Sequence, residues 1–318
     1  MKNLWRAAFF LILPLSCFAC EKQPSRSEVL TRGSVVEPKE RMNPVEDPTP
    51  PILHVEGWEQ PIPLSGPINT SGGEDSPFFD PTRNALFFFF TPDTTIPAEE
   101  QIGDGFTGIY VSYLEHGEWS EPERIWLTEG EELALDGCPT VRGNTLWFCS
   151  IRNGNYRSID FWTASFDGER WGNIHNAGQA LNKSIGIGEM DISNDNQMIL
   201  FHAALPGGQG ENDLWITTAT AQGWDEPQNL SSLNSEFDDS RPFFTEDDQE
   251  IWFTRTYQGS PAVYRSIWEG DEWSTPQLII SQFAGEPTID HDGNIYFAHH
   301  FIKDGKILDA DIYVAYKK

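Results

Sequence analysis

From Trp58 to the C-terminus the apolar positions fall in short runs, each bounded by glycine, proline, asparagine or aspartate. No stretch sustains the three-to-four-residue spacing of an amphipathic helix together with its caps, so the pattern predicts many short strands joined by tight turns. The runs repeat. A tryptophan followed three residues on by proline occurs in Trp58-Glu-Gln-Pro61, Trp119-Ser-Glu-Pro122, Trp224-Asp-Glu-Pro227 and Trp273-Ser-Thr-Pro276, with Trp171-Gly-Asn-Ile174 as a degenerate copy. These tryptophans are spaced by 61, 52, 53 and 49 residues.

Two further tracks lie between them. In the first, an acidic residue, usually with a proline, opens an apolar strand that turns into an aromatic one. Glu74-Asp75-Ser76-Pro77 precedes Leu86–Phe90, Asp136-Gly137-Cys138-Pro139 precedes Leu146-Trp147-Phe148, and Glu189-Met190-Asp191 precedes Ile199-Leu200-Phe201. Asp239-Ser240-Arg241-Pro242 then precedes Ile251-Trp252-Phe253, and Glu286-Pro287 precedes Ile295-Tyr296-Phe297. The second track is a third strand in each unit: Ile109-Tyr110, Asp160-Phe161-Trp162, Asp213-Leu214-Trp215, Val263-Tyr264 and Asp311-Ile312-Tyr313. With an outer strand at each Trp-x-x-Pro, every unit has four antiparallel strands, the make-up of a propeller blade. The chain ends on a third-track strand and begins with an unpaired Trp-x-x-Pro, so its two ends are complementary. The expected fold is all-β: a five-bladed β-propeller of four-stranded antiparallel blades over residues 52–318, closed by an N-terminal strand joining the last blade. Closure removes edges that invite aggregation. The in-strand aromatics Trp147, Phe148, Trp162, Phe201, Trp215, Trp252 and Phe253 are expected between the sheets. The loop aromatics Phe106, Tyr156 and Tyr257 are candidates for a sugar platform.

The stretch Trp224-Asp-Glu-Pro-Gln-Asn-Leu230, Leu233-Asn234, Asp239-Ser-Arg-Pro242 and Ile251-Trp-Phe-Thr254 resembles the repeat of TolB-type propellers, especially the form found in outer-membrane and peptidoglycan-associated lipoproteins. The loop Pro206-Gly-Gly-Gln-Gly210 before Asp213-Leu-Trp215 is similar to that repeat's Gly-rich loop. The resemblance spans residues 58–318. It implies the fold and an envelope setting more than any activity, since this repeat serves many proteins. TolB-type rings usually have six blades, whereas five units are found here.

The N-terminus agrees with export. Lys2 and Arg6 precede the apolar run Ala7–Leu15, and Ser16-Cys17-Phe18-Ala19-Cys20 follows. This is the layout of a signal peptide over residues 1–19, too short to span a bilayer comfortably. Cys20 after Ala19 resembles the acylated cysteine of a bacterial lipoprotein, although Cys17 stands where that motif has leucine. Plain cleavage after Ala19, giving a soluble periplasmic or secreted protein, is the other reading. Residues 20–51 are proline-rich and polar, unable to bury enough surface to offset the entropy of ordering, and are expected to form a disordered tether behind the anchor. The expected location is the cell envelope, at the outer membrane or in the periplasm.

Charge narrows the partners. With 21 Lys and Arg against 49 Asp and Glu, the net charge is −28. Such a surface repels nucleic acid and anionic headgroups. Membrane contact is expected through the lipid alone, and the chain is expected to be a monomer that engages an envelope protein or glycan.

Cys138 and Cys149 flank Gly143-Asn144, a two-residue hairpin signal that sets the two thiols opposite each other. In an exported protein this predicts a disulfide. The acids opening the inner strands, Glu74, Asp75, Asp136, Glu189, Asp239 and Glu286, are expected to ring one mouth of the channel. Two roles are open to them. As structural groups they would tie loops through backbone N–H donors. As catalysts, Asp75, Asp136 and Glu189 would serve as base, modulating acid and proton donor of an arabinanase-like five-bladed glycoside hydrolase. Their recurrence in every unit favours the structural role, and with it a protein- or glycan-binding scaffold over an enzyme. No cofactor is expected. Asp290-His-Asp-Gly-Asn294 looks like the start of a calcium loop but sits at a turn and lacks the closing glutamate. The histidines show no zinc-ligand spacing.

Overall fold

The computed structural model describes residue 32 and residues 44–128, 132–185, 188–303 and 306–318. The signal peptide, Cys20 and most of the expected tether lie outside these residues. The regular structure of the described chain is mainly strand, in sheets of four or more strands that are antiparallel but for one parallel bridge, Ala310↔Gly73.

Two short strands come first, β1 (Ile52–Leu53) and β2 (Ile62–Pro63). Unit 1 contains β3 (Gly73–Asp80), β4 (Ala85–Thr91) and β5 (Gly108–Glu115), with β6 (Glu118–Trp119) and β7 (Glu123–Arg124) both on the outer side of β5. Unit 2 contains β8 (Leu135–Arg142), β9 (Thr145–Ile151), β10 (Asp160–Phe166) and β11 (Trp171–Asn176). Unit 3 contains β12 (Met190–Ile192), β13 (Met198–Ala203), β14 (Asp213–Thr220) and the outer pair β15 (Gly223–Trp224) and β16 (Gln228–Asn229). Unit 4 contains β17 (Asp239–Phe244), β18 (Glu250–Tyr257), β19 (Ser260–Ile267) and β20 (Gln277–Ser281). Unit 5 has three strands from the C-terminus, β21 (Ala284–Ile289), β22 (Ile295–Lys303) and β23 (Lys306–Ala315).

The fourth strand of unit 5 comes from the N-terminus. β2 pairs with β23 through Ile62↔Val314 and Pro63↔Tyr313, and Trp58 bridges Lys317. The expected partnership of the Trp58 segment with the strand at 311–316 is therefore present. The sequence did not suggest the role of β1, which adds a fifth strand to unit 4 beside β20.

Three devices repeat and join the units. The first is a tryptophan strut. The outer-strand tryptophan of a unit packs edge-on against an aromatic ring of the preceding unit: Trp171 on Phe87, Trp119 on Tyr296 and Trp58 on Trp252. Trp119 of unit 1 thus rests on unit 5. The second is an asparagine that grips the third strand of the unit just completed, accepting from one backbone N–H and donating to the same residue's C=O. Asn182 does this to Phe161, Asn234 to Leu214, and Asn69 to Ile312. Asn69 therefore does for unit 5 what the inter-unit connections do for units 2 and 3. The third is contact between first strands: β3 packs on β8, β8 on β12, β12 on β17, β17 on β21, and β21 on β3.

The second strands are the most apolar and the most buried, as positions covered on both faces must be. Phe87, Phe88, Phe148, Phe201, Phe253 and Phe297 have no measurable exposure. Trp215 and Trp252 are buried as expected, while Trp147 and Trp162 are only partly buried and pack against the core from its margin.

Two expectations need correction. Cys138 and Cys149 are joined, with Cα atoms 5.5 Å apart, but they are not directly opposed. The ladder slips between Gly137 and Thr140, so Gly137 faces Cys149 and Cys138 is the bulged residue. The tether does not run unpacked to residue 51 either. Residues 44–46 form a turn of 3-10 helix, Asp47 accepts at 2.8 Å from the buried His299, and Arg32 is 2% exposed. Sequence composition hid this because isolated charged residues can be buried when a partner waits for them.

Removing residues 52–64 should expose the outer edge of β23 and delete the Trp58 strut, giving aggregation and loss of a cooperative melt. Size-exclusion chromatography and calorimetry of the truncated chain check this. A monomeric, cooperatively melting product would contradict it.

Candidate functional site

In four of the five units the first strand carries the same irregularity. A residue at positive φ stands immediately before proline: Ser76 (49°), Cys138 (49°), Arg241 (50°) and Glu286 (59°). The ladder shifts there in β3, β8, β17 and β21. Left-handed φ costs a non-glycine residue about 1–2 kcal/mol. Proline makes the bulge tolerable, because it has no N–H to be stranded where the ladder is broken. In unit 3 the matching residue is Glu189, and Met190 takes proline's place without a bulge.

These five positions line one gap of about 40 Å³, where the first strands of all units meet. Its polar centre is a triad. Arg241 Nε lies 2.8 Å from Glu286 Oε1 and 3.3 Å from Glu189 Oε1. Glu286 also accepts from Ser76 N at 2.5 Å. Glu189 and Cys138 are shared with a larger cavity of about 560 Å³, bounded by Arg157, Ile159, Ile185, His202, Leu205 and Asn212. These belong to loops at the end where first and third strands begin, here called the loop face. A second cavity of about 560 Å³ opens at the opposite end, with Arg142, Asn194, Glu250, Arg265, His291 and Lys317 around it.

The acids read from the sequence as one ring divide into two sets. Glu74, Asp136 and Asp239 are buried and each is locked by an arginine, at 3.1 Å from Arg32, 2.5 Å from Arg152 and 2.5 Å from Arg255. They also take donors from Thr70 N, Ser150 Oγ and Ser235 N respectively. For Glu74 and Asp239 this is the loop-tying role, whereas Asp136 bonds across to β9. Glu189 and Glu286 stand two positions further along the repeat, on the axis, and Asp75 stands between the two levels. The structure therefore gathers Asp75, Glu189 and Glu286 around Arg241, and holds Asp136 apart in its own ion pair.

Burial raises the Glu189 carboxyl to about 7, with Glu286 adding repulsion and Arg241 opposing. Asp75 is raised well above the carboxylate range by burial and then by Glu286 and Glu189. Arg241 is held more firmly protonated, chiefly by Glu189. His202, whose Nδ1 accepts from Arg241 N at 3.3 Å, is lowered to about 4 by burial and by that guanidinium, and is neutral at ordinary pH. The central Arg241 and the neutral His202 were not singled out as site residues in the sequence, since neither has a repeated counterpart.

No family model matches the chain, and no curated protein matches it. Among solved structures it is similar to TolB from Acinetobacter baumannii, at 13% identity over 74% of this chain and 51% of that one, with a TM-score of 0.41. It is also similar to the arabinanase of Bacillus subtilis, at 9% identity, 77% and 95% coverage and a TM-score of 0.45. A luciferin-regenerating enzyme is a third, at 9% identity, 82% and 95% coverage and a TM-score of 0.42. The chain spans about half the length of the TolB it matches.

Among the described residues no group of three or more His, Cys, Asp or Glu side chains could hold a metal ion. At the calcium-like segment, Asp290 accepts from Asp292 N, Asn294 N, Asn294 Nδ2 and the Tyr296 hydroxyl, which is turn and core bonding. Of the loop aromatics, Tyr156 is half exposed, Phe106 packs against the core and Tyr257 meets His54 edge-on.

The raised Glu189 has a pH consequence. A glutamate at about 7 in the folded state and near 4.3 unfolded makes the folded state the better proton binder between those values, so its contribution destabilises increasingly as pH rises from about 4.5 to 7. Glu189→Gln removes that slope. Relative to the parent, the variant should gain on the order of 2–3 kcal/mol between pH 5 and pH 8. Urea denaturation at the two pH values measures it, and an equal difference at both would contradict the assignment.

Proposed function

We propose that the five units form a five-bladed propeller, closed by the N-terminal strand, and that it is exported, anchored through Cys20, and binds an envelope protein or glycan by its loop face. The reading is carried by the way the axis is occupied. Arg241 spans Glu189 and Glu286 in a gap of about 40 Å³, which leaves no room for a scissile bond between carboxylates there. The loop face beside it is open. It has a cavity of about 560 Å³ and exposes Ile96, Leu133, Tyr156, Ile159 and Phe237 on its loops. Apolar side chains around a polar depression suit recognition of a partner surface. Among the described residues no helix is long and apolar enough to cross a membrane, so attachment in this reading rests on the lipid.

The arabinanase-like alternative draws on one observation. Asp75 and Glu189, two members of its trio, lie within electrostatic reach of each other and both are raised. Its third member, Asp136, is neutralised by Arg152 and shielded by Ser150. A glycosidase needs one carboxylate kept protonated and another ionised across an open site.

Two outcomes are expected. Cells fed an alkyne fatty acid should label the full-length chain, and Cys20→Ala should abolish the label; labelling that survives the substitution, or its absence from the parent, would refute the anchor. The purified protein should release no sugar from arabinan or xylan. Hydrolysis lost in both Asp75→Asn and Glu189→Gln, with the fold intact, would replace the binding reading with the enzyme.

A further inference from the structure

We propose that Arg32 is a clip that takes the place of an in-strand arginine of unit 1 and thereby turns the loop face of the domain toward the membrane. The proposal rests on the reading of Cys20 as the anchored residue.

The carboxylate locks of units 2 and 4 are built alike. Arg152 comes from the end of β9, pairs with Asp136, donates to the C=O of Leu127 and lies over the rings of Phe148 and Trp162 at 5.1 and 5.0 Å. Arg255 comes from β18, pairs with Asp239, donates to the C=O of Leu233 and lies over Phe253 and Tyr264 at 5.2 and 4.9 Å. Unit 1 has the matching acid, Glu74, and the matching rings, Phe88 and Tyr110, but its second strand supplies no arginine. Arg32 fills the position. It pairs with Glu74, donates to the C=O of Pro67, and lies over Phe88, Phe90 and Tyr110 at 5.0, 5.1 and 5.4 Å. A residue forty-two positions away in sequence thus completes the same socket of carboxylate, carbonyl and aromatic faces.

The socket lies where β3 begins, at the loop face. The next N-terminal contact, Asp47 with His299, lies at the same end, because His299 pairs with Ala284 at the start of β21. Both described attachment points of the N-terminal segment are therefore on one face. From Cys20 to Arg32 is a leash of twelve residues, at most about 40 Å when fully extended. Without the clip the leash runs to Asp47, with a reach of roughly 90 Å. The short leash holds the loop face close to the bilayer, and the opposite face, with Asp247 and Lys317, away from it. A surface with net charge −28 does not adhere to anionic headgroups, so orientation depends on the leash and not on adsorption.

The test supplies the anchor chemically, which separates it from the question of acylation in the cell. The chain from Cys20 onward has one cysteine outside the disulfide and is coupled through it to a maleimide lipid in phosphatidylcholine vesicles containing acceptor-labelled lipid. Donor dyes are placed by azide chemistry at Ser158 on the loop face or at Asp247 on the opposite face. Transfer from position 158 is expected to be at least twice that from 247. In Arg32→Ala, and in Glu74→Gln, which keeps the Thr70 contacts within reach, the ratio should fall toward one while circular dichroism and the melt show a folded domain. Equal transfer from both positions in the parent would overturn the proposal, as would a ratio unchanged in both variants. If Arg32→Ala fails to fold, the Glu74→Gln ratio alone decides.

Discussion

A carboxylate taken out of water must be given a cation or donors, or take up a proton. Much of this molecule's tertiary organisation answers that requirement. Each first strand starts at the inner end of a sheet, where backbone donors of the incoming loop need an acceptor. Glu74 and Asp239 supply it, Asp136 takes the Ser150 hydroxyl instead, and the burial of all three in turn demands Arg32, Arg152 and Arg255. Replacing one partner of such a pair and leaving the other buried costs about 3–5 kcal/mol. That coupling explains why a segment that reads as linker carries a residue of the core. It also explains why the arginines stack on aromatic rings, since a planar guanidinium keeps apolar contact on its faces while its edge is used for hydrogen bonds.

The repeat itself was legible because three of its tracks have fixed chemistry. Trp-x-x-Pro marks the outer strand, the paired aromatics mark the second, and the complementary chain ends point to a pairing of the N-terminal segment with the last strand, seen in Ile62↔Val314. What could not be read was register. The acids of units 1, 2 and 4 precede the bulge by two residues, whereas Glu189 and Glu286 occupy the bulge position itself, so one column of acids was really two. The disulfide shows the same effect, with Cys138 one step off direct opposition. The arginines of the locks escaped for a related reason. Arg255 faces Asp239 directly, Arg152 lies two residues beyond the position facing Asp136, and Arg32 comes from outside the repeat, so no common spacing exists.

Symmetry is kept where the fold needs it and abandoned at the axis. The struts, the asparagine grips and the locks recur with the same partners. The axial position reads Ser76, Cys138, Glu189, Arg241 and Glu286, four residue types at one structural site. Backbone strain alone cannot explain the choice, because glycine or asparagine would adopt positive φ more readily than arginine or glutamate. The side chains must be retained for what they do at the axis. There, two glutamates share one guanidinium while Asp75 and Glu189 are raised by burial and repulsion, so the cluster carries more acid than cation and keeps protons near neutrality.

Such a cluster could serve catalysis or simply seal the ring, and the choice turns on where the free volume lies. A general acid must reach the leaving oxygen of a bound substrate, within hydrogen-bond distance. Around Arg241 the first strands converge so closely that water-sized space is nearly gone, and one oxygen each of Glu189 and Glu286 faces the guanidinium while Glu286 Oε2 faces Ser76 N. Volume returns at both ends, and at the loop face the boundary changes to Ile159, Ile185, Leu205 and Arg157, with Glu189 at the join. A ligand seated there meets apolar side chains and loop backbone beside Glu189, and Asp75 lines a smaller adjoining cavity that shares Cys138, Cys149 and Ile159. That composition suits recognition of shape and hydrogen-bonding groups. The axial network ties the first strands of four units together, through Arg241, Glu189, Glu286 and the backbone N–H of Ser76. The exposed loops around it are the part of the molecule free to differ from unit to unit.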